Sequence, residues 1–261
     1  AKRPRAPDCR WSCALSDACG LSTSVFNQLC LQAASAQQAA CKPFALSQQE
    51  IAMTKPLYAV FFALLLLCGL SACSKPETTL PAQTTVLILG DSLTQGVGAS
   101  SAQTSYPALL KQQSQWNIIN GGVSGNTSAQ ALARLPELLQ HHQPKLVIIS
   151  IGGNDFLQRL SNSDTQANIA QSIALSQQSG AQVLLVAVPE LTLAAAVGHP
   201  NDHAMYAQLA QSHQVYLLED AWSDILGDDS LRADPVHAND AGYQVFSKLL
   251  VKRLQQIGWL D

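Results

Sequence analysis

Five short apolar runs, each separated from the next by enough residues for a helix, constrain this chain more than any other feature of it. They span residues 86–89, 116–120, 146–151, 183–188 and 215–218. Helical stretches fall between them, near 103–114, 127–141, 165–179 and 201–212. A last helix is predicted over 241–257, where Val245, Leu249, Leu250 and Leu254 recur on one face. Strand and helix alternating in this way is the pattern of βαβ units and a parallel sheet. The expected architecture is a three-layer α/β/α domain with a five-stranded, flavodoxin-like parallel sheet over residues 86–261. Sheets of that kind bind ligands beyond the carboxyl ends of their strands, and three polar clusters fall there: GDSL, GGVSGNTS and GGND follow the first, second and third runs.

The residues before this region are different in kind. All seven cysteines precede residue 74, so the α/β domain depends on no disulfide or thiolate metal site. From Ser74 onward nine Lys and Arg stand against fifteen Asp and Glu. That acidic balance argues against a nucleic-acid partner. At Met53 begins MTKPLYAVFFALLLLCGLSACSKPE, in which Lys55 is soon followed by the uncharged, mostly apolar residues 57–70. A basic start and an apolar segment of this length read as a secretory signal, too short to span a bilayer comfortably. Its end, Leu70-Ser71-Ala72-Cys73, resembles a bacterial lipobox, which implies lipidation at Cys73. The expectations are therefore a signal over 53–73, a polar tether over 74–85, export to the periplasmic face and membrane attachment through a lipid anchor. Residues 1–52 open with alanine and have no methionine before Met53; they are expected to be an upstream extension without function. Their five cysteines match no zinc spacing and have no histidine among them.

The turn after the first run, ILGDSLTQGVG, admits several readings. Ser92 is well placed to cap a helix. A phosphate loop is excluded, because Gly96-Val97-Gly98 lacks the third glycine of the dinucleotide fingerprint and no Gly-Lys-Ser/Thr follows. The nucleophile elbow G-x-S-x-G fails too, since Thr94 occupies its last position. Near the other end stands Asp234-Pro235-Val236-His237. An Asp and a His three residues apart can face each other, so that the carboxylate orients one ring nitrogen and the other accepts a serine proton. Taken alone, a capping Asp234 and a surface His237 explain that motif equally well.

Together the motifs are more informative. GDSLTQG with Ser92, VSGNTS with Gly125, GGND with Asn154 and DPVH with Asp234 and His237 resemble, in order, the four marker blocks of the SGNH (GDSL) hydrolase family. The run SGNTSA followed by LARLP is most similar to its thioesterase I, lysophospholipase and arylesterase branch. The resemblance implies Ser92 as nucleophile, His237 as general base and then acid, and Asp234 as the group that holds His237. It implies an oxyanion hole made by the backbone N–H groups of Ser92 and Gly125 and the side-chain amide of Asn154. No cofactor and no metal are expected.

Other polar residues carry simpler expectations. Asp91 reads as a turn and cap residue, and His141 and His142 as a helix end. His199, His203 and His213 lack a ligand-like spacing, while Met205 and Tyr206 should pack against the sheet. Residues 156–164 and 191–203 should rim the site, the latter with the apolar LTLAAAVG. The function expected is a monomeric serine esterase that cleaves carboxylic esters or thioesters and loses activity in acid, where the base is protonated. A carbohydrate O-acetylesterase and a catalytically silent binding domain are the alternatives.

Overall fold

The computed structural model describes residues 79–190 and 200–261. Residues 1–78, with the candidate signal, Cys73 and the first five residues of the tether, lie outside the described residues, as do 191–199 of the apolar loop.

Strands β1 (Thr85–Gly90), β2 (Asn117–Gly122), β3 (Leu146–Ser150), β4 (Gln182–Val186) and β5 (Tyr216–Leu218) form one sheet in the order β2-β1-β3-β4-β5. Every pairing in it is parallel. The order reverses between β1 and β3, which opens a crevice at their carboxyl ends. In β1 and β3 every residue from Val86 to Leu89 and from Leu146 to Ile149 is fully buried. Both faces are covered, which is why these strands read as unbroken apolar runs.

Helices α2 (Tyr106–Ser114), α7 (Ala221–Gly227) and α8 (Asp240–Gln256) pack on one face. Helices α3 (Ser128–His142), α5 (Asn162–Gln178) and α6 (Met205–His213) lie side by side on the other. Three short elements escape periodicity in the sequence: α1 (Ser92–Gln95), α4 (Gly153–Leu157) and α7. A two-stranded antiparallel hairpin, β6 (Arg232–Asp234) with β7 (His237–Ala238), escapes it as well.

The first face is held by aromatic packing. Trp222 stacks on Phe246 with ring centroids 3.8 Å apart, and Tyr106 lies 4.6 Å from Phe246. Their polar tips point back to the sheet edge: Trp222 Nε1 donates to Ser150 Oγ at 3.1 Å, and Tyr106 Oη meets Thr94 Oγ1 at 2.7 Å. Core and crevice are thus joined, since Ser150 ends β3 and Thr94 lies in α1. Met205 and Tyr206 are buried as expected, with Tyr206 Oη donating to Ile151 O at 2.8 Å. Among the described residues no helix is long and apolar enough to cross a membrane.

Candidate active site

Strand β1 ends at Gly90, where a side chain has no room. A Cβ would lie 2.0 Å from Thr94 Oγ1. Asp91 then caps α1, its Oδ1 accepting the Leu93 N–H at 3.1 Å. The cap is therefore Asp91, and the Ser92 hydroxyl is left free for another partner. That partner is His237, whose Nε2 lies 3.0 Å from Ser92 Oγ.

His237 and Asp234 flank the tight turn of the β6–β7 hairpin. His237 Nδ1 lies 2.7 Å from Asp234 Oδ2, while Asp234 Oδ1 accepts the backbone N–H groups of Val236 and His237, both at 2.9 Å. Partial burial opposes ionisation of Asp234, but the bond from the imidazole and those two N–H groups outweigh it. The carboxyl is held below its ordinary pKa. The structure thus brings Ser92, His237 and Asp234 into one hydrogen-bonded chain, across 145 residues between Ser92 and His237.

Gly125 and Asn154 come to the same crevice from β2 and β3. Gly125 has φ +79°, and a Cβ built on it would meet nothing within 4 Å. The crevice is open beside it, and the backbone N–H groups of Ser92 and Gly125 have no acceptor among the described residues. Asn154, in α4, donates from Nδ2 to Asn126 O at 3.0 Å and at longer range to Asp91 Oδ2, 3.4 Å away. Ser92, Gly125, Asn154 and His237 line one cleft of about 160 Å³, together with Leu157 and Val188.

Two carboxyl groups lie buried below the cleft: Asp155, which no feature of the sequence marked, and Asp91, which caps α1 as the sequence suggested. Asp155 is buried and accepts from Ser128 N at 2.8 Å, Ser128 Oγ at 2.6 Å and Thr165 Oγ1 at 3.2 Å. It pins α4 to α3 and α5. Asp91 is buried too, and burial pushes its pKa up to about 6 against the pull of the Leu93 N–H and of His237. The remaining histidines stand apart from this chemistry. His203 stacks on Phe156 with ring centroids 5.0 Å apart and accepts the Met205 N–H on Nδ1, and His141 and His142 end α3. His199 lies outside the described residues. Among the described residues no cluster of three His, Cys, Asp or Glu side chains could hold a metal ion.

Comparison with known proteins places the chain in a family. Residues 88–245 match the GDSL-like lipase/acylhydrolase family. The chain is 35% identical over 179 residues to the thioesterase 1/protease 1/lysophospholipase L1 of Escherichia coli (strain K12), covering 66% of this chain and 84% of that protein. It is 34% identical over 161 residues to an arylesterase of Vibrio mimicus, covering 60% and 77%. Among solved structures it is similar to the psychrotrophic esterase EstA from Pseudoalteromonas sp., inhibited by monoethylphosphonate, with a TM-score of 0.58 and 26% identity over 66% of this chain and 97% of that one. With this sheet order, these blocks and these relatives, the chain belongs to the GDSL-like lipase/acylhydrolase family and is a hydrolase of ester bonds.

Proposed function

We propose that the chain is a serine esterase acting through an acyl-serine intermediate, with Ser92 as nucleophile, His237 as general base and acid, and Asp234 as the orienting carboxylate. The hydrogen-bonded chain from Ser92 through His237 to Asp234 carries this reading. His237 Nε2 takes the hydroxyl proton as Ser92 Oγ bonds to the ester carbonyl carbon. The proton then passes to the departing alcohol or thiol as its bond to that carbon breaks. Water attacks the acyl-serine by the same steps in reverse, releasing the acid and restoring Ser92. Negative charge on the carbonyl oxygen is met by the N–H groups of Ser92 and Gly125 and by the Asn154 amide. Losing one such donor ordinarily costs about 3–4 kcal/mol in the transition state.

The substrates proposed are aryl esters, acyl esters and acyl thioesters, including lysophospholipid-type esters. Relatives named as thioesterase, lysophospholipase and arylesterase support that range. So does the rim of the cleft: the large hydrophobic side chains that stay exposed among the described residues are Val123, Leu157 and Leu160, beside or within the loops that line it. A Ser92→Ala variant is expected to lose hydrolysis of p-nitrophenyl acetate; retained hydrolysis refutes the assignment. Measured on p-nitrophenyl acetate and octanoate, turnover should extend to the longer ester, whereas turnover of acetate alone points to the O-acetylesterase alternative. Export with lipidation at Cys73 belongs to the same proposal. The intact mass of the protein purified from its host membranes tests it, an unlipidated mature chain being the contrary result.

A further inference from the structure

The side chain of Arg134 turns back from the middle of α3 toward the crevice. Its Nε donates to Asn126 Oδ1 at 2.9 Å and its Nη2 to Gly90 O at 2.8 Å. Gly90 ends β1, two residues before Ser92. Asn126 follows Gly125, and its own carbonyl accepts the Asn154 amide at 3.0 Å. One planar guanidinium therefore spans the two segments that present the groups assigned to the oxyanion hole. A fork of fixed geometry suits that task, because two bonds set both distance and angle.

A structural role in charge pairing does not account for this residue. Among the described residues the ion pairs are Arg232 with Asp229 and His237 with Asp234, and no carboxylate lies within ion-pair distance of Arg134. Burial opposes its charge, and the Asp91 carboxylate favours that charge only from beyond ion-pair distance. Here its bonds go to a carbonyl two residues before Ser92 and to the side-chain oxygen of the residue that follows Gly125.

We propose that Arg134 is the positioning residue of the oxyanion hole, holding the end of β1 and the Gly125–Asn126 turn as one rigid piece. The inference rests on the roles assigned above to Ser92, Gly125 and Asn154. Arg134→Met, Arg134→Lys and Asn126→Ala test it, with Ser92→Ala measured alongside. For Arg134→Met, kcat on p-nitrophenyl acetate is expected to fall about 10–100-fold with KM within about twofold, as misplacing donors in an acyl-transfer site costs turnover rather than binding. Inhibition by phenylboronic acid, which forms a tetrahedral adduct on a serine, should weaken by a similar factor.

Arg134→Lys should recover part of the loss, because an ammonium reaches one acceptor and not both. Asn126→Ala removes the Nε contact while keeping the charge and the Asn126 carbonyl, and should lower kcat several-fold. Wild-type kcat in Arg134→Met, a loss confined to KM, or boronate inhibition unchanged while turnover falls overturns the inference. Should the methionine variant fail to fold, Arg134→Lys and Asn126→Ala decide by the same two readouts. Hydrolysis surviving in Ser92→Ala removes the underlying assignment as well; its loss there beside unaffected Arg134 variants removes this inference alone.

Discussion

Replacing Asp234 by asparagine should damage the enzyme more than replacing it by alanine. The reason is the division of labour between its two oxygens. Oδ1 accepts two backbone N–H groups and Oδ2 faces His237 Nδ1. An asparagine keeps the two backbone bonds only by placing its carbonyl where Oδ1 was, which turns its –NH2 toward Nδ1. The imidazole then accepts on Nδ1 and carries its proton on Nε2, pointing at Ser92, where it cannot act as base. Turning the amide over would forfeit two hydrogen bonds of about 1 kcal/mol each, so the productive tautomer is disfavoured roughly 30-fold or more. The alanine variant meets no such constraint. The Asp234 side chain is 46% exposed, so water can accept from Nδ1–H in its place. We expect kcat about 10³–10⁴-fold below wild type for Asp234→Asn and about tenfold higher than that for Asp234→Ala, with KM little changed in either. Steady-state hydrolysis of p-nitrophenyl butyrate at pH 8 measures the order, and ¹⁵N chemical shifts of the His237 ring report the tautomer. Equal or higher turnover in Asp234→Asn would refute the reasoning.

Asp91→Asn tests the buried carboxyl. Its pKa of about 6 lies above the ordinary 3.8, so the folded state favours the neutral acid. The stability this gives is intact below about pH 4 and is lost as pH rises through 6, a swing of about 3 kcal/mol. Melting curves of the variant should therefore fall less between pH 4 and 7.5 than those of wild type, and parallel curves would contradict the burial argument. Gly125→Ala places a Cβ in open space but at φ +79°, so it should cost about 1–2 kcal/mol in urea unfolding. Gly90→Ala, whose Cβ would strike Thr94 and the Ser150 carbonyl, should not yield soluble protein; a well-folded variant would show that the turn can yield. The pH profile of kcat/KM should rise from acid to neutral pH, because only a neutral imidazole takes the serine proton, and a flat profile down to pH 4 would contradict His237 as base.

The sheet was legible because its buried strands are apolar runs with polar residues only at their ends, such as Ser150 in β3 and Gln182 in β4. Sequence and structure place the start of β3 at the same residue, Leu146. At β2 the reading began one residue early and stopped two short: Trp116 is buried below the strand with Nε1 donating to Leu80 O, and the ladder continues through Gly121 and Gly122. Glycine there looked like the end of a strand. It is needed in it, since a Cβ on Gly122 would lie 2.2 Å from Gln95 N. The reading of β4 overran by two residues, because the apolar Ala187 and Val188 stay buried after the ladder ends at Val186. Helices α1 and α4, of four and five residues, are too short for any periodicity to register.

Four of the five residues named from the motif blocks line one crevice and Asp234 bonds His237 from behind it, but what supports them was hidden. Arg134 and Asp155 bond to backbone and to neutral side chains brought near by the fold, and no spacing in the sequence marks such partners. Of the two cap residues the turn offered, Asp91 supplies the cap, and Ser92 opens α1 with its hydroxyl turned to His237.

The hairpin that carries Asp234 and His237 sets how activity reports on the native state. The two side chains are bound to each other within one tight turn, so little chain entropy opposes their contact. Ser92 reaches His237 across 145 residues, and they are held together by the assembled sheet and by contacts of residues 97–100 with the start of α8, such as Tyr243 Oη to Val97 O at 2.6 Å. A chain that has begun to unfold can keep its acid–imidazole pair while losing its nucleophile. Loss of turnover is therefore an early gauge of failure at the edge of the sheet, before any probe confined to the hairpin would register a change.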